Sequence, residues 1–167
     1  ISVTWEKSTI RSWLNGYDSS YNTQGGNYTS RNFIDTAFTP EEKARIIASN
    51  VPAHPNPYYN TPAGKATTDK IFLLSLVEAR YYFTTNQARK AYATLYAIHG
   101  GVEALYGTMF CTANNTNTNS YHVDKCSAFW WLRSPGEDSH SAAYVDFEGM
   151  FDSVNVYQET SIYSIHV

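Results

Sequence analysis

The chain is predicted to be an α+β protein, with helices first and a small, irregular antiparallel sheet at the C-terminus. Three observations predict this. Segments with helical spacing and helix-capping residues fill much of the first hundred positions. The run Phe129-Trp130-Trp131-Leu132-Arg133-Ser134-Pro135-Gly136 then divides the chain, and Pro135-Gly136 ends it with turn chemistry. After it come short, aromatic-rich stretches that read as strands. Helices followed by strands, without βα alternation, imply α+β and not a parallel α/β sheet.

Each element has its own signal. In residues 4–16, Trp5, Thr9 or Ile10, and Trp13 fall at helical spacing, and Asn15-Gly16 is a stop. Residues 17–31 are rich in Ser, Asn, Gly and Tyr and read as a long loop. Thr39 is an N-cap, Pro40 takes the first helical position, and Glu42 completes a capping box. That helix is expected to run to about Ala48, with Ala44, Ile47 and Ala48 on its apolar face and Ile46 beside it. Residues 51–65 hold Pro52, Pro55, Pro57 and Pro62 and must be irregular. Residues 69–76 are almost continuously apolar, which predicts a buried strand, followed by a helical turn over 76–82. Residues 86–99 read as a helix that Gly100-Gly101 ends. Residues 112–120 form an Asn/Thr tract, hence a loop. Strands are expected at 128–133, 142–146, 150–157 and 161–167, with a turn near Glu148-Gly149. No internal repeat or domain boundary interrupts the 167 residues, so a single domain is expected.

Composition narrows the function classes. Apolar residues make up 43% and aromatic residues 16%, with 14 Tyr. Tyr in this abundance fits either amphipathic recognition surfaces or half-buried strand positions. The formal net charge is −3 and no Lys/Arg run exists, which argues against nucleic-acid binding through phosphates. No apolar stretch reaches membrane-spanning length, so no membrane insertion is expected. The chain opens at Ile1 without a signal peptide, which reads as a processed or trimmed product. Cys111 and Cys126 bracket a polar loop, and either a disulfide or two free thiols fits them. They lack CxxC spacing and no His clusters with them, so a zinc site is not expected.

The order of segments resembles the DUF6273 family, a domain of unknown function found in surface and secreted proteins of Gram-positive gut-type bacteria. The matching stretches are Val3-Thr4-Trp5-Glu6 with Ser8-Thr9-Ile10-Arg11-Ser12-Trp13-Leu14-Asn15, Ala37-Phe38-Thr39-Pro40-Glu41-Glu42, Thr68-Asp69-Lys70-Ile71-Phe72-Leu73-Leu74-Ser75, and Trp130-Trp131-Leu132-Arg133-Ser134-Pro135-Gly136. Ala142-Ala143-Tyr144-Val145 and Gly149 follow. The family is similar to C-type lectin-like domains and to the formylglycine-generating-enzyme superfamily. The likeness implies a C-type lectin-like fold whose C-terminal sheet carries the binding face. It also implies a scaffold of the kind used by retroelement-diversified variable proteins. This chain departs from the pattern twice. It lacks the family's usual N-terminal strand region before Trp5. It also ends Tyr163-Ser164-Ile165-His166-Val167 where the family closes on a Gly-Val-Arg-Pro-Ala-like stretch.

The candidate ligand-binding residues lie in the segment from Glu137 onward. They are Asp138, His140, Asp146, Phe147, Glu148, Met150, Phe151, Asp152, Asn155, Tyr157, Tyr163 and His166. Aromatic anchors with adaptable polar partners dominate recognition surfaces. The bland alternative is that Phe147, Phe151 and Tyr157 are ordinary sheet residues facing a core. Asp146, Glu148 and Asp152 form no EF-hand loop, and calcium-lectin sugar signatures are missing, so no metal is expected. Adjacent Asp138, Ser139 and His140 cannot easily aim a nucleophile, base and orienter at one point. Glu41 and Glu42 are better explained as helix N-terminal charge. The formylglycine-generating relatives use a C-terminal cysteine pair with copper, but no cysteine follows Cys126. Neither catalysis nor a cofactor is therefore expected. Trp5, Trp13, Trp130 and Trp131 are assigned to packing. Arg133 is assigned to a buried network of backbone carbonyls or a carboxylate. The leading expectation is a non-catalytic extracellular or cell-surface domain that binds a protein or glycan. The alternatives are a structural or assembly module and a degenerate member of the enzyme superfamily.

Overall fold

In the computed structural model, residues 2–112 and 125–156 are described. Helices dominate the first part. A 3₁₀ turn at Trp5–Lys7 leads into α1 (Thr9–Asn15), and a second 3₁₀ turn lies at Ser19–Tyr21. Next come α2 (Phe33–Ala37) and α3 (Pro40–Arg45). Strands β1 (Ser49–Val51) and β2 (Thr67–Asp69) form an antiparallel pair. They are followed by α4 (Leu76–Tyr82), α5 (Asn86–Arg89), β3 (Ala91–Tyr92) and α6 (Leu95–His99). Strands β4 (Ala104–Tyr106), β5 (Met109–Phe110) and β6 (Ser127–Ala128) join β3 in a sheet of order β3-β6-β4-β5. Strands β7 (Trp130–Pro135), β8 (Ser141–Val145) and β9 (Phe151–Asn155) form the C-terminal antiparallel sheet. The molecule is thus mixed α+β, with small antiparallel sheets after the first helices. The expected loop at 112–120 and strand at 161–167 lie, but for Thr112, outside the described residues.

The first helix ends where the sequence places its stop, because Gly16 adopts a left-handed conformation (φ 71°) and closes α1. It is shorter at its start than expected, because the Ser8 side chain accepts the Arg11 N–H and begins a new helix. At α3 the capping box forms as read: Thr39 Oγ1 accepts from Glu42 N–H and Glu42 returns a bond to Thr39 N–H.

Three further expectations are corrected. Helix α3 stops at Arg45 and not at Ala48, and its supposed apolar face is exposed, Ile47 at 80%. It lies on the surface, tied by Lys43 to Asp35 (2.6 Å) and by Lys70 to the Lys43 carbonyl (3.1 Å). Residues 69–76 are not a strand. Asp69 ends β2, and Ser75 caps α4 with its own capping box to Glu78. Backbone groups between them bond to side chains: Asn15 takes Ile71 N–H and donates to Ile71 O, and Arg133 donates to Leu73 O. The apolar run spans two cores, with Ile71 and Leu73 against one and Leu74 and Leu76 in the other. Residues 86–99 are not one helix either. Thr85 and Thr94 each cap a separate short helix, and Ala91–Tyr92 between them pairs with β6.

Among the described residues, three apolar clusters result. Trp5, Leu14 and Val51 gather Ile10, Trp13 and Phe33 under the N-terminal helices. Leu76 and Ala79 of α4 meet Leu132, Ala143 and Val145 of the C-terminal sheet, with Trp130 and Phe151 at the margin. The third cluster is small: Ala93, Ile98, Ala104 and Ala128 around Cys111 and Cys126. Of the two readings of those cysteines, the structure has the disulfide. Among the described residues Ile98 is the one large buried side chain in that cluster, so the crosslink is assigned much of its stability. Closing a loop of this length is worth about 3 kcal/mol. Cys111→Ala/Cys126→Ala is therefore expected to lower the melting temperature and raise amide exchange across residues 91–111 before the other two cores open. Uniform exchange across the chain would contradict this.

Candidate functional site

The C-terminal sheet is fixed from behind. The buried Arg133 on β7 reaches both carboxylate oxygens of Glu78 on α4, and donates to the carbonyls of Leu73 (2.7 Å) and Pro52 (3.4 Å). Ser134 Oγ accepts from Leu76 N–H at 3.0 Å. Burial pushes the Glu78 carboxyl up, but its bonds to Arg133 and to the Ser75 N–H outweigh this and hold it below the ordinary value. On β8, Ala143 and Val145 face inward and are fully buried.

The candidate residues are spread over this frame in three places. Asp138 and His140 occupy the β7–β8 turn. Asp138 Oδ1 accepts from His140 N–H and Ser141 Oγ, both at 2.8 Å, and these bonds hold its carboxyl below the usual range. Gly136 packs so closely here that a Cβ would lie 2.5 Å from Ser141 Cβ. Asp146, Phe147, Glu148 and Met150 belong to the β8–β9 turn at the other end of β8. Five strand residues separate the two turns, which is about 14 Å. Asp146 Oδ1 closes the second turn by accepting from Glu148 and Met150 N–H, both at 2.8 Å.

On β9, register divides the rest. Phe151, opposite Val145, packs against the core, with the Arg89 guanidinium 4.5 Å from its ring centroid. Asn155 pairs with Ser141 on the same face. Asp152 lies on the other face and accepts from Tyr144 OH at 3.1 Å. There Phe129, Trp131, Tyr144 and Phe147 form a chain of ring contacts 5.7–5.9 Å apart. Asp138, His140, Glu148, Met150 and Asp152 are exposed, whereas Asp146, Phe147, Phe151 and Asn155 are half-buried. Tyr157, Tyr163 and His166 lie outside the described residues. Of the four Trp, Trp5 is buried. Trp13, Trp130 and Trp131 are half-buried, with Trp130 Nε1 donating to Arg89 O at 2.9 Å.

Two supports were missed from sequence. Arg89 is buried and donates to the Gly149 carbonyl (2.7 Å), the Phe83 carbonyl (2.7 Å) and Asn86 Oδ1, which anchors the β8–β9 turn. Gly149 is left-handed (φ 81°), and a Cβ there would stand 1.9 Å from Asn86 O. Gly149→Ala combines strain of about 1–2 kcal/mol with a backbone clash. A drop of at least about 2 kcal/mol in chemical-denaturation stability is expected, and an unshifted urea midpoint would refute the close approach. The second support is the loop at 55–61. Buried Asn56 donates to Pro135 O (2.9 Å) and Gly136 O (3.4 Å), and Thr61 Oγ1 donates to Glu137 O at 3.1 Å. No local signal in the sequence marks either support, because the partners are 60 to 80 residues apart.

A groove of about 520 Å³ lies beside the sheet, lined by Val3, Trp5, Ile10, Trp131, Ala142 and Val156 among others. No helix among the described residues is long and apolar enough to cross a membrane.

No curated protein and no solved structure matches the chain. The family model of a domain of unknown function, DUF6273, matches residues 1–162. With nearly its whole length covered, the chain belongs to the DUF6273 family.

Proposed function

We propose that this is a non-catalytic, extracellular ligand-binding domain with a C-type lectin-like fold, whose segment after Gly136 forms a recognition surface for a protein or glycan. The observation that carries the reading is the division of labour around β8. Its inward residues Ala143 and Val145 are fully buried, while Asp138, His140, Glu148 and Met150 are exposed on the turns at its two ends. Those turns are held by residues elsewhere, Asn56 at one and Arg89 at the other. A frame fixed from behind tolerates change at the exposed positions, as recognition loops on rigid scaffolds do. The buried Cys111–Cys126 disulfide supports an oxidising compartment.

The test is to sequence this locus across many related cells. Substitutions concentrated after codon 136, at the exposed turn positions and with Ala143, Val145 and Gly149 unchanged, would support a diversified receptor. A uniform pattern along the chain would reject diversification. The second reading, a structural or assembly module, is favoured by the packing of Phe147 on Phe129 and of Phe151 on the core. It predicts that Phe147→Ala lowers stability and leaves no separate binding defect.

A further inference from the structure

We propose that Tyr58 and Tyr59, together with Glu137 and Asp138, form a subsite for a cationic, Lys/Arg-bearing protein segment. This rests on the ligand-binding reading above but places part of the contact outside the C-terminal segment. Tyr58 and Tyr59 are adjacent and each 56% exposed. Their loop is nonetheless rigidly held. Asn56, 1% exposed, accepts Tyr58 N–H on its side chain (3.0 Å) and Asn60 N–H on its carbonyl (2.8 Å), and its own N–H donates to Thr61 O (3.2 Å). Pro55, Pro57 and Pro62 restrict the backbone further. Two large aromatic side chains on a pre-ordered loop lose little entropy on binding, which is what makes Tyr an effective anchor.

The same buried Asn56 joins this loop to the β7–β8 turn. Its amide spans to Pro135 O and Gly136 O, and Thr61 Oγ1 bonds to Glu137 O. The Glu137 backbone is thereby held against the tyrosine loop, and Glu137 and Asp138 are exposed there. Neither carboxylate makes an ion pair among the described residues. Residues 52–64 and 134–142 contain no Lys or Arg. The Ser141 hydroxyl and the His140 N–H, with a smaller contribution from the His140 ring, hold the Asp138 carboxyl below its usual range. Aromatic faces next to carboxylates that lack an ion pair attract guanidinium and ammonium groups through cation–π and charge contacts. A neutral glycan would use the rings but leave the two negative charges unanswered, so the observations favour a cationic segment.

The probe is a fluorescein-labelled hexa-arginine peptide, titrated against the whole chain by anisotropy at low and moderate salt. Hexa-glutamate and a neutral oligosaccharide serve as counter-probes. Saturable binding of hexa-arginine is expected, weakened about tenfold or more by Tyr58→Ala/Tyr59→Ala and by Glu137→Gln/Asp138→Asn. Tyr58→Phe/Tyr59→Phe should bind like the parent, because the rings carry the contact. Melting temperatures of all variants should match the parent. The inference is overturned by no saturable binding, by equal binding to the Tyr58→Ala/Tyr59→Ala protein, or by preference for the oligosaccharide. If a Glu148→Ala/Met150→Ala protein loses binding while the tyrosine variant keeps it, the subsite falls and the wider reading stands. The locus sequencing tests the wider reading separately.

Discussion

Asp69→Ala is expected to be among the most damaging single substitutions in the chain. Asp69 is fully buried, and its two oxygens accept from four side chains. Trp5 Nε1 donates at 3.0 Å, Arg11 Nε at 2.8 and 3.0 Å, Tyr17 OH at 3.0 Å and Thr67 Oγ1 at 2.6 Å. One carboxylate therefore joins the 3₁₀ turn, α1, the loop after it and β2. Burial and the neighbouring carboxylate push the Tyr17 phenol up to about 12. Removing Asp69 strands the Arg11 guanidinium, whose side chain is 8% exposed, without its counter-charge. Breaking a buried pair from one side costs about 3–5 kcal/mol. For a chain of this length that is a fall of roughly 6–20 °C in melting temperature. Arg11→Met/Asp69→Leu removes both charges and should recover part of the loss. If Asp69→Ala melts within about 2 °C of the parent, the network does not hold the N-terminal helices.

Arg133→Ala is the second large effect. It removes the link between β7, α4 and the Pro52 carbonyl and leaves Glu78 without its partner. The Glu78 side chain is 24% exposed and can recruit water, so the cost should sit at the low end of the buried-pair range, about 3 kcal/mol. Arg133→Lys keeps the charge but not the planar fork, and should fall between parent and alanine. The loss should be structural, with any binding defect following the folded fraction. An Arg133→Ala protein with unchanged melting would refute this.

The same pair sets a pH dependence. The Glu78 carboxyl titrates lower in the folded protein than its ordinary 4.5. Its contribution is therefore complete above that value and is lost as pH falls through the lower, folded value. Melting temperature measured from pH 7 to pH 3 should decline more steeply for the parent than for Glu78→Gln. Parallel curves would mean that Glu78 gains nothing from Arg133.

What could be read without a structure follows from distance along the chain. The Thr39–Glu42 capping box and the Gly16 stop use partners within four or five residues, and both formed as read. The short, aromatic-rich stretches after Gly136, with the turn near Glu148-Gly149, placed β8 and β9 to within a residue or two. The apolar run at 69–76 misled, because periodicity cannot distinguish a strand from a segment that feeds two cores and bonds to Asn15 and Arg133. The helix expected over 86–99 failed because β6 captures Ala91 and Tyr92, a tertiary pairing that overrides local propensity.

The candidate site shows the same boundary. Residue types after Gly136 marked the segment but not its geometry. Only register separates inward Phe151 from outward Asp152, and only the fold sets Asp138 and Glu148 at opposite ends of β8. Tyr58 and Tyr59 carry no signal of their own, since Asn56 joins them to a turn 80 residues away. By itself, the sequence determined the class, the Thr39 capping box, the Gly16 stop, the turn near Gly149 and the family, all of which rest on local bonds or on ordered motifs. Tertiary structure decided which apolar run met which core, the partner of each buried charge, and the side chains left in water. Those outcomes depend on burial and charge pairing between residues brought together only when the chain folds.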